Sequence, residues 1–217
     1  MSDPIKIIKM KPGTGRYYVT LSNRSEPISV SEMLVFQHRL KEGIVITEPQ
    51  LVQLEAEADL DECDRVAARL LTMREQSIGE LRSKLARRGF KPDSVKATVR
   101  KYIDNGLLDD AHYAQNVARG LLARNPSGKP YLVAYLQHRL ISRDIAEQTA
   151  EMLLADEDDV ELAVKSLERR WSTLSQFDLE RARSKAYTYL SRRGISYSAA
   201  KAAFDRLWNR SEKDGSD

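Results

Sequence analysis

Three segments of this chain are alike in a way that dictates its architecture: Leu81-Arg82-Ser83-Lys84-Leu85-Ala86-Arg87-Arg88-Gly89-Phe90, then Leu132 through Leu136 to Ile141, then Ala186 through Leu190 to Ile195. Leu85, Leu136 and Leu190 correspond, with spacings of 51 and 54 residues. Each segment is an amphipathic run that stops on basic residues. Each is followed by a helix-start signal: Lys91-Pro92-Asp93, Ser142-Arg143-Asp144 and Ser196-Tyr197-Ser198. Each is preceded by a further helical stretch, near 61–74, 110–123 and 159–173. The pattern predicts three copies of a three-helix unit. A unit of about 50 residues has a marginal core alone, so neighbours are expected to share burial.

The first copy shows how one unit works. Ser77-Ile78-Gly79-Glu80 has the spacing of a capping box, and Ile78, Leu81 and Leu85 share a helix face. Gly89 supplies the left-handed stop, with Phe90 folding back on the last turn. Val95, Val99, Tyr102 and Ile103 form the face of the next helix, which ends at Gly106. Asp109 caps the helix carrying Tyr113, Val117 and Leu121. The second copy has Leu140-Ile141 where the others have glycine and an apolar residue, so its helix is expected to end without a glycine cap. Asn125-Pro126-Ser127-Gly128-Lys129-Pro130 reads as a flexible joint. The third copy has a longer connection, Trp171 to Asp178.

Before residue 60 the period is different. Tyr17, Val19 and Leu21 alternate with Tyr18 and Thr20, and Pro12 to Gly15 are turn residues, so a short antiparallel ribbon is predicted. Gly13-x-Gly15 lacks the strand, loop and helix of a phosphate-binding unit and reads as a hairpin turn. Ser31 caps a helix ending before Gly43, and a second helix starts at Thr47-Glu48-Pro49. The expected organisation is a β-ribbon and helical extension over 1–60, then repeats over 61–108, 109–155 and 156–210. A polar tail covers 211–217. The fold class is mainly α, with the three repeats in an elongated array.

The formal charge of +3 conceals blocks. Residues 48–64 hold seven acidic and no basic groups. Residues 65–105 hold 11 basic and four acidic, and 160–210 hold 11 and five. Blocks of this size mark either solvated helix faces or polyanion footprints. Leu179, Ala182, Ala186 and Leu190 share one helix face, which leaves Arg181, Lys185 and Arg192 on a separate exposed stripe. In the first repeat Lys84, Arg87 and Lys101 point away from the apolar faces. The stops contribute Arg88 and Arg193, completing the candidate binding set. Tyr102, Tyr113, Tyr135 and Tyr189, like Trp171 and Trp208, lie at core or cap spacing rather than as stacking platforms.

Catalysis finds no support. His38, His112 and His138 fall in different helices, and Cys63 is the single cysteine, so no disulfide framework or cysteine-based zinc site is expected. No P-loop, GxSxG or HExxH spacing occurs, and no cofactor is expected. No apolar run approaches membrane-spanning length and no signal-peptide core is visible, which predicts a cytoplasmic protein without membrane partners.

The residues from Arg74 through Ser77-x-x-Glu80-Leu81, the stop Leu85-x-x-Arg88-Gly89-Phe90, and Gly106-Leu107-Leu108-Asp109-Asp110-x-x-Tyr113-Ala114 resemble the RecX family of recombinase regulators. Tyr189 to Tyr197 is similar too, and the amino-terminal part looks like the extension of longer members. The resemblance implies a non-enzymatic protein that binds the RecA recombinase in the helical groove of its filament on single-stranded DNA. It implies lower ATP hydrolysis, less strand exchange and less repressor coproteolysis, with DNA contact, single-stranded and also double-stranded, by the regulator itself. A monomer is expected. The alternative is a stand-alone regulator built of helix-turn-helix-like units. Against it, no helix gathers base-reading Asn, Gln and Arg at its start.

Overall fold

The computed structural model describes residues 4–214, with side chains through Ser211. The tail expected over 211–217 falls, from residue 215 on, outside the described residues. Four strands, β1 (Ile5–Gly13), β2 (Arg16–Leu21), β3 (Ile28–Ser31) and β4 (Val45–Ile46), form a sheet in the order β3-β2-β1-β4. The rest is helical: α1 (Glu32–Gln37), α2 (Glu48–Met73), α3 (Ile78–Arg87), α4 (Pro92–Asp104), α5 (Asp110–Arg124), α6 (Lys129–His138), α7 (Arg143–Leu154), α8 (Asp159–Glu168), α9 (Trp171–Leu174), α10 (Leu179–Arg192) and α11 (Tyr197–Asp214). The mainly helical class is as the sequence predicts. The chain divides into two compact units, one of residues up to 76 with 80–108, the other of 77–79 with everything from 109 on.

In the first unit, alternation along the strands puts Ile5, Ile7, Val19, Leu21 and Val30 inside against Leu34, Leu51 and Leu54. Gly13 pairs with Arg16 across a two-residue turn, and Gly15 has φ +69°, so the Gly-x-Gly is a hairpin turn as read. Strand β4 escapes a sequence reading because two residues carry no period. Helix α2 begins with Thr47 and Gln50 in a reciprocal capping box and Pro49 in its first turn. It then runs unbroken for 26 residues, so the helices expected before and after residue 60 are one element. Its second half packs on α4, and Cys63, Ala67, Val99 and Tyr102 are buried there. Ile103, expected on the same face, is exposed.

In the second unit, α5, α6 and α7 enclose one core, and α8, α9, α10 and α11 another. The repeat shows in its buried positions. Leu85, Leu136 and Leu190 are all fully buried, as are Leu81, Leu132 and Ala186; Val99, Ala150 and Phe204 match on the third helices. Each full burial of such a leucine contributes about 1.5–3 kcal/mol. The aromatic residues Trp171, Phe204 and Trp208 pack edge-on or stacked, at 5.6–6.3 Å between ring centres. The helix expected over 159–173 is broken after Glu168. At the break the Arg169 guanidinium donates to the carbonyls of Ala123 and Arg124 at the end of α5.

Of two expectations about turns, the helix end without a glycine cap holds and the flexible joint is corrected. The helix stop after α6 has the same geometry as its counterparts without glycine, because Leu140 itself takes φ +57°, beside Gly89 at +87° and Gly194 at +67°. Strain of about 1–2 kcal/mol attaches to such a residue. The stretch 125–130 is no loose joint. Pro126, Ser127 and Gly128 are buried, and the Gly128 N–H donates to the Arg193 carbonyl at 2.8 Å. Gly128 has φ −74°, which any residue tolerates, so space alone demands glycine: a Cβ there would sit 2.2 Å from the Gly194 carbonyl oxygen.

Gly128→Ala should therefore lower unfolding free energy by about 2–3 kcal/mol, since the obstacle is backbone. Gly120→Ala, inside α5 with nothing nearer than an Arg124 nitrogen at 3.9 Å, should raise it by about 0.5–1 kcal/mol. Urea denaturation of the two variants beside the parent chain checks the pair.

Candidate functional site

Of the three charge blocks in the sequence, the acidic one and the basic one of the third repeat have opposite fates. The acidic run on α2 is largely taken up by its own unit. Arg24 pairs with Glu55, Arg16 with Glu62, and Lys101 Nζ with Asp64 at 2.9 Å. His38 Nε2 meets Glu57 at 2.5 Å, and the Lys91 N–H donates to Asp59 at 3.1 Å. Hydrogen bonds from His38 and Gln53 hold Glu57 below the ordinary carboxylate range. Partial burial works against ionisation of Glu62, but the guanidinium groups of Arg65 and Arg16 outweigh it and its pKa is lowered as well.

The basic surface of the third repeat is different. Arg170, Lys185 and Arg192 line an open groove of about 420 Å³ with Phe177, Thr188 and Tyr189. The groove exists because α9 turns the chain back after α8 and brings Phe177 against α10. Arg181 and Lys185, one helical turn apart, place their charges 5.0 and 4.8 Å from the Phe177 ring centre. Arg170 lies 4.7 Å over Tyr189. Among the described residues none of Arg170, Arg181, Lys185 and Arg192 has a carboxylate within ion-pair distance. Four cations along one edge without counter-ions leave a strong positive field facing solvent.

The predicted binding residues sort accordingly. Arg181, Lys185 and Arg192 are exposed and belong together. Arg193 does not join them: its guanidinium lies over Tyr131 and Tyr189 and reaches Ser127 Oγ and Asn125 Oδ1, so it fastens the second repeat to the third. In the first unit Arg87 and Arg88 are exposed at the end of α3. Lys84 is half-buried and donates to Gln76 Oε1 at 2.5 Å; burial, then the positive charge of Arg74, pushes its pKa down. Lys101 is neutralised by Asp64. Arg170 was missed. Its signal was the dibasic Arg169-Arg170 before Trp171, masked by the helix expected to run through it.

No group of three or more His, Cys, Asp or Glu among the described residues is placed to hold a metal ion. Burial raises the pKa of Cys63, the opposite of an activated thiol. No helix among the described residues is long and apolar enough to cross a membrane.

Comparison with known proteins gives consistent matches. Residues 65–101 fit the family description RecX, first three-helix domain, and 156–204 fit RecX, third three-helix domain. The regulatory protein RecX of Chromohalobacter salexigens is 31% identical over 142 residues, which is 65% of this chain and 90% of that protein. That of Syntrophotalea carbinolica is 31% identical over 131 residues, 60% of this chain and 86% of the relative. A crystal structure of a regulatory protein RecX superposes with TM-score 0.65 at 20% identity, covering 93% of this chain and 99% of that one. RecX from Lactobacillus salivarius gives 0.59 at 23%, covering 69% and 96%. At these identities the structures speak for the fold.

A carboxylate whose pKa is lowered on folding stabilises the protein above its unfolded value and loses that contribution as pH falls through the folded one. Glu62→Gln should therefore lower the urea midpoint at pH 7, and the gap from the parent should close below about pH 4.

Proposed function

The chain belongs to the RecX family of regulatory proteins, and on that membership we propose that it is a non-enzymatic cytoplasmic regulator of the RecA recombinase. It binds the filament that RecA forms on single-stranded DNA, lying in the helical groove, and restrains ATP hydrolysis, strand exchange and coprotease activity. The observation that carries the reading is the row of cations Arg170, Arg181, Lys185 and Arg192, exposed and without counter-ions. Such a row suits a partner with regularly spaced negative charge, either phosphates or an acidic protein surface. The repeat construction supports the same reading: each unit offers the partner a small surface, and affinity accumulates over several weak contacts.

At well below one regulator per recombinase protomer, the purified protein should slow DNA-dependent ATP hydrolysis. An unchanged rate at equimolar ratio refutes the reading. A sequence-specific footprint on duplex DNA without recombinase would favour the stand-alone regulator instead.

Replacing Arg181, Lys185 and Arg192 together by Glu should weaken binding to filaments or to single-stranded DNA while leaving the melting temperature close to that of the parent. If each cation neutralises one phosphate, the slope of log affinity against log salt should become shallower by about 2. An unaltered affinity and slope would remove these residues from the interface.

A further inference from the structure

The first unit has a second groove of opposite character. It lies between α1, α2 and α4, with Leu34, Leu60 and Ala97 giving it an apolar floor and Glu57, Asp61 and Asp64 an acidic rim. Leu60 is 39% exposed. Most acidic groups of α2 are paired internally, but Asp61 has no cation within ion-pair distance among the described residues. Asp64 spends only one oxygen on Lys101; its other oxygen is buried without a hydrogen-bond partner.

We propose that this groove is a docking site for a segment of the recombinase that carries a lysine or arginine beside an aliphatic side chain. The aliphatic group covers Leu60 and Ala97 while the cation meets the Asp61 carboxylate. Charge complementarity selects the occupant: Glu57 is engaged by His38 and Asp64 by Lys101, so the rim keeps the unpaired carboxylate of Asp61, and an acidic or nucleic-acid partner is repelled. The site rests on the reading that a recombinase filament is the partner. It gives the acidic block a task that the basic groove of the third repeat cannot perform.

Photocrosslinking on the full-length protein tests it. Ala97 and, separately, Thr188 are replaced by p-benzoylphenylalanine, and each variant is irradiated with filaments assembled on single-stranded DNA. The expected result is a crosslink from position 97 to a recombinase peptide holding Lys or Arg next to an aliphatic residue. Asp61→Lys should lower the yield at position 97 about tenfold by placing like charges together, and Asp61→Asn should lower it less. Crosslinking from position 188 but not 97, or yields at 97 indifferent to Asp61→Lys, would overturn the docking site while leaving the filament reading standing. Absence of crosslinks from both positions, with no effect on ATP hydrolysis, would overturn the two together.

Discussion

The second unit depends on backbone meeting backbone at one turn. The stop after α10 puts Gly194 in the left-handed region, which aims the Arg193 carbonyl at the Gly128 N–H and seats Gly194 against the start of α6. A Cβ on Gly194 would come within 2.7 Å of the Tyr131 nitrogen, so neither side of the contact has room for a side chain. Side chains then lock what the backbone allows: Arg193 covers two tyrosines and hydrogen-bonds the 125–127 turn. The same arrangement recurs one repeat earlier. Ser77 Oγ donates to the Arg139 carbonyl, a Cβ on Gly79 would lie 2.5 Å from the Leu140 oxygen, and Arg139 reaches the hydroxyls of Tyr113 and Tyr135. A recurrent joint of this kind explains why the stop sequence, rather than any helix face, is the part of the repeat that stands out.

It also accounts for the leucine where glycine is expected. The joint needs the left-handed turn at position 140 as much as at 194. Packing of Gly79 on Leu140 and the hydrogen bond from Ser77 hold that conformation against its intrinsic cost. Propensity alone reads the absence of a glycine cap, as expected; that the turn is nevertheless left-handed is dictated by tertiary contacts, and the residue follows. The proline- and glycine-rich 125–130 was misjudged for the mirror-image reason. Turn composition signals bends, and nothing local distinguishes a bend in water from a bend pressed against another backbone.

What was legible therefore divides by range. Positions fixed by a helical or strand period, such as Leu85, Leu136 and Leu190 or Val19 and Leu21, could be placed from spacing alone. The caps at Ser31, Thr47, Asp109 and Ser142 were equally visible, because a capping side chain bonds within three residues of itself. Partners distant in sequence were not. That Lys101 pairs with Asp64, that Arg193 reaches across to the 125–127 turn, and that Arg170 stands beside Lys185 all depend on contacts across elements. The charge blocks marked where to look without saying which charges would remain.

The state of the aromatic rings in the basic groove bears on what kind of recognition is available there. Phe177 already carries Arg181 and Lys185, and Tyr189 carries Arg170 as well as Arg193. A base seeking to stack on either ring would have to displace a cation held by the ring quadrupole. The rings thus serve to position charge, holding long flexible side chains where they would otherwise sweep out space and lose entropy on binding. Recognition by such a surface follows the spacing of negative charge and is blind to base identity. On the proposed filament reading that blindness is an advantage, since any stretch of filament is then an acceptable target and specificity comes from contacts with the protein subunits.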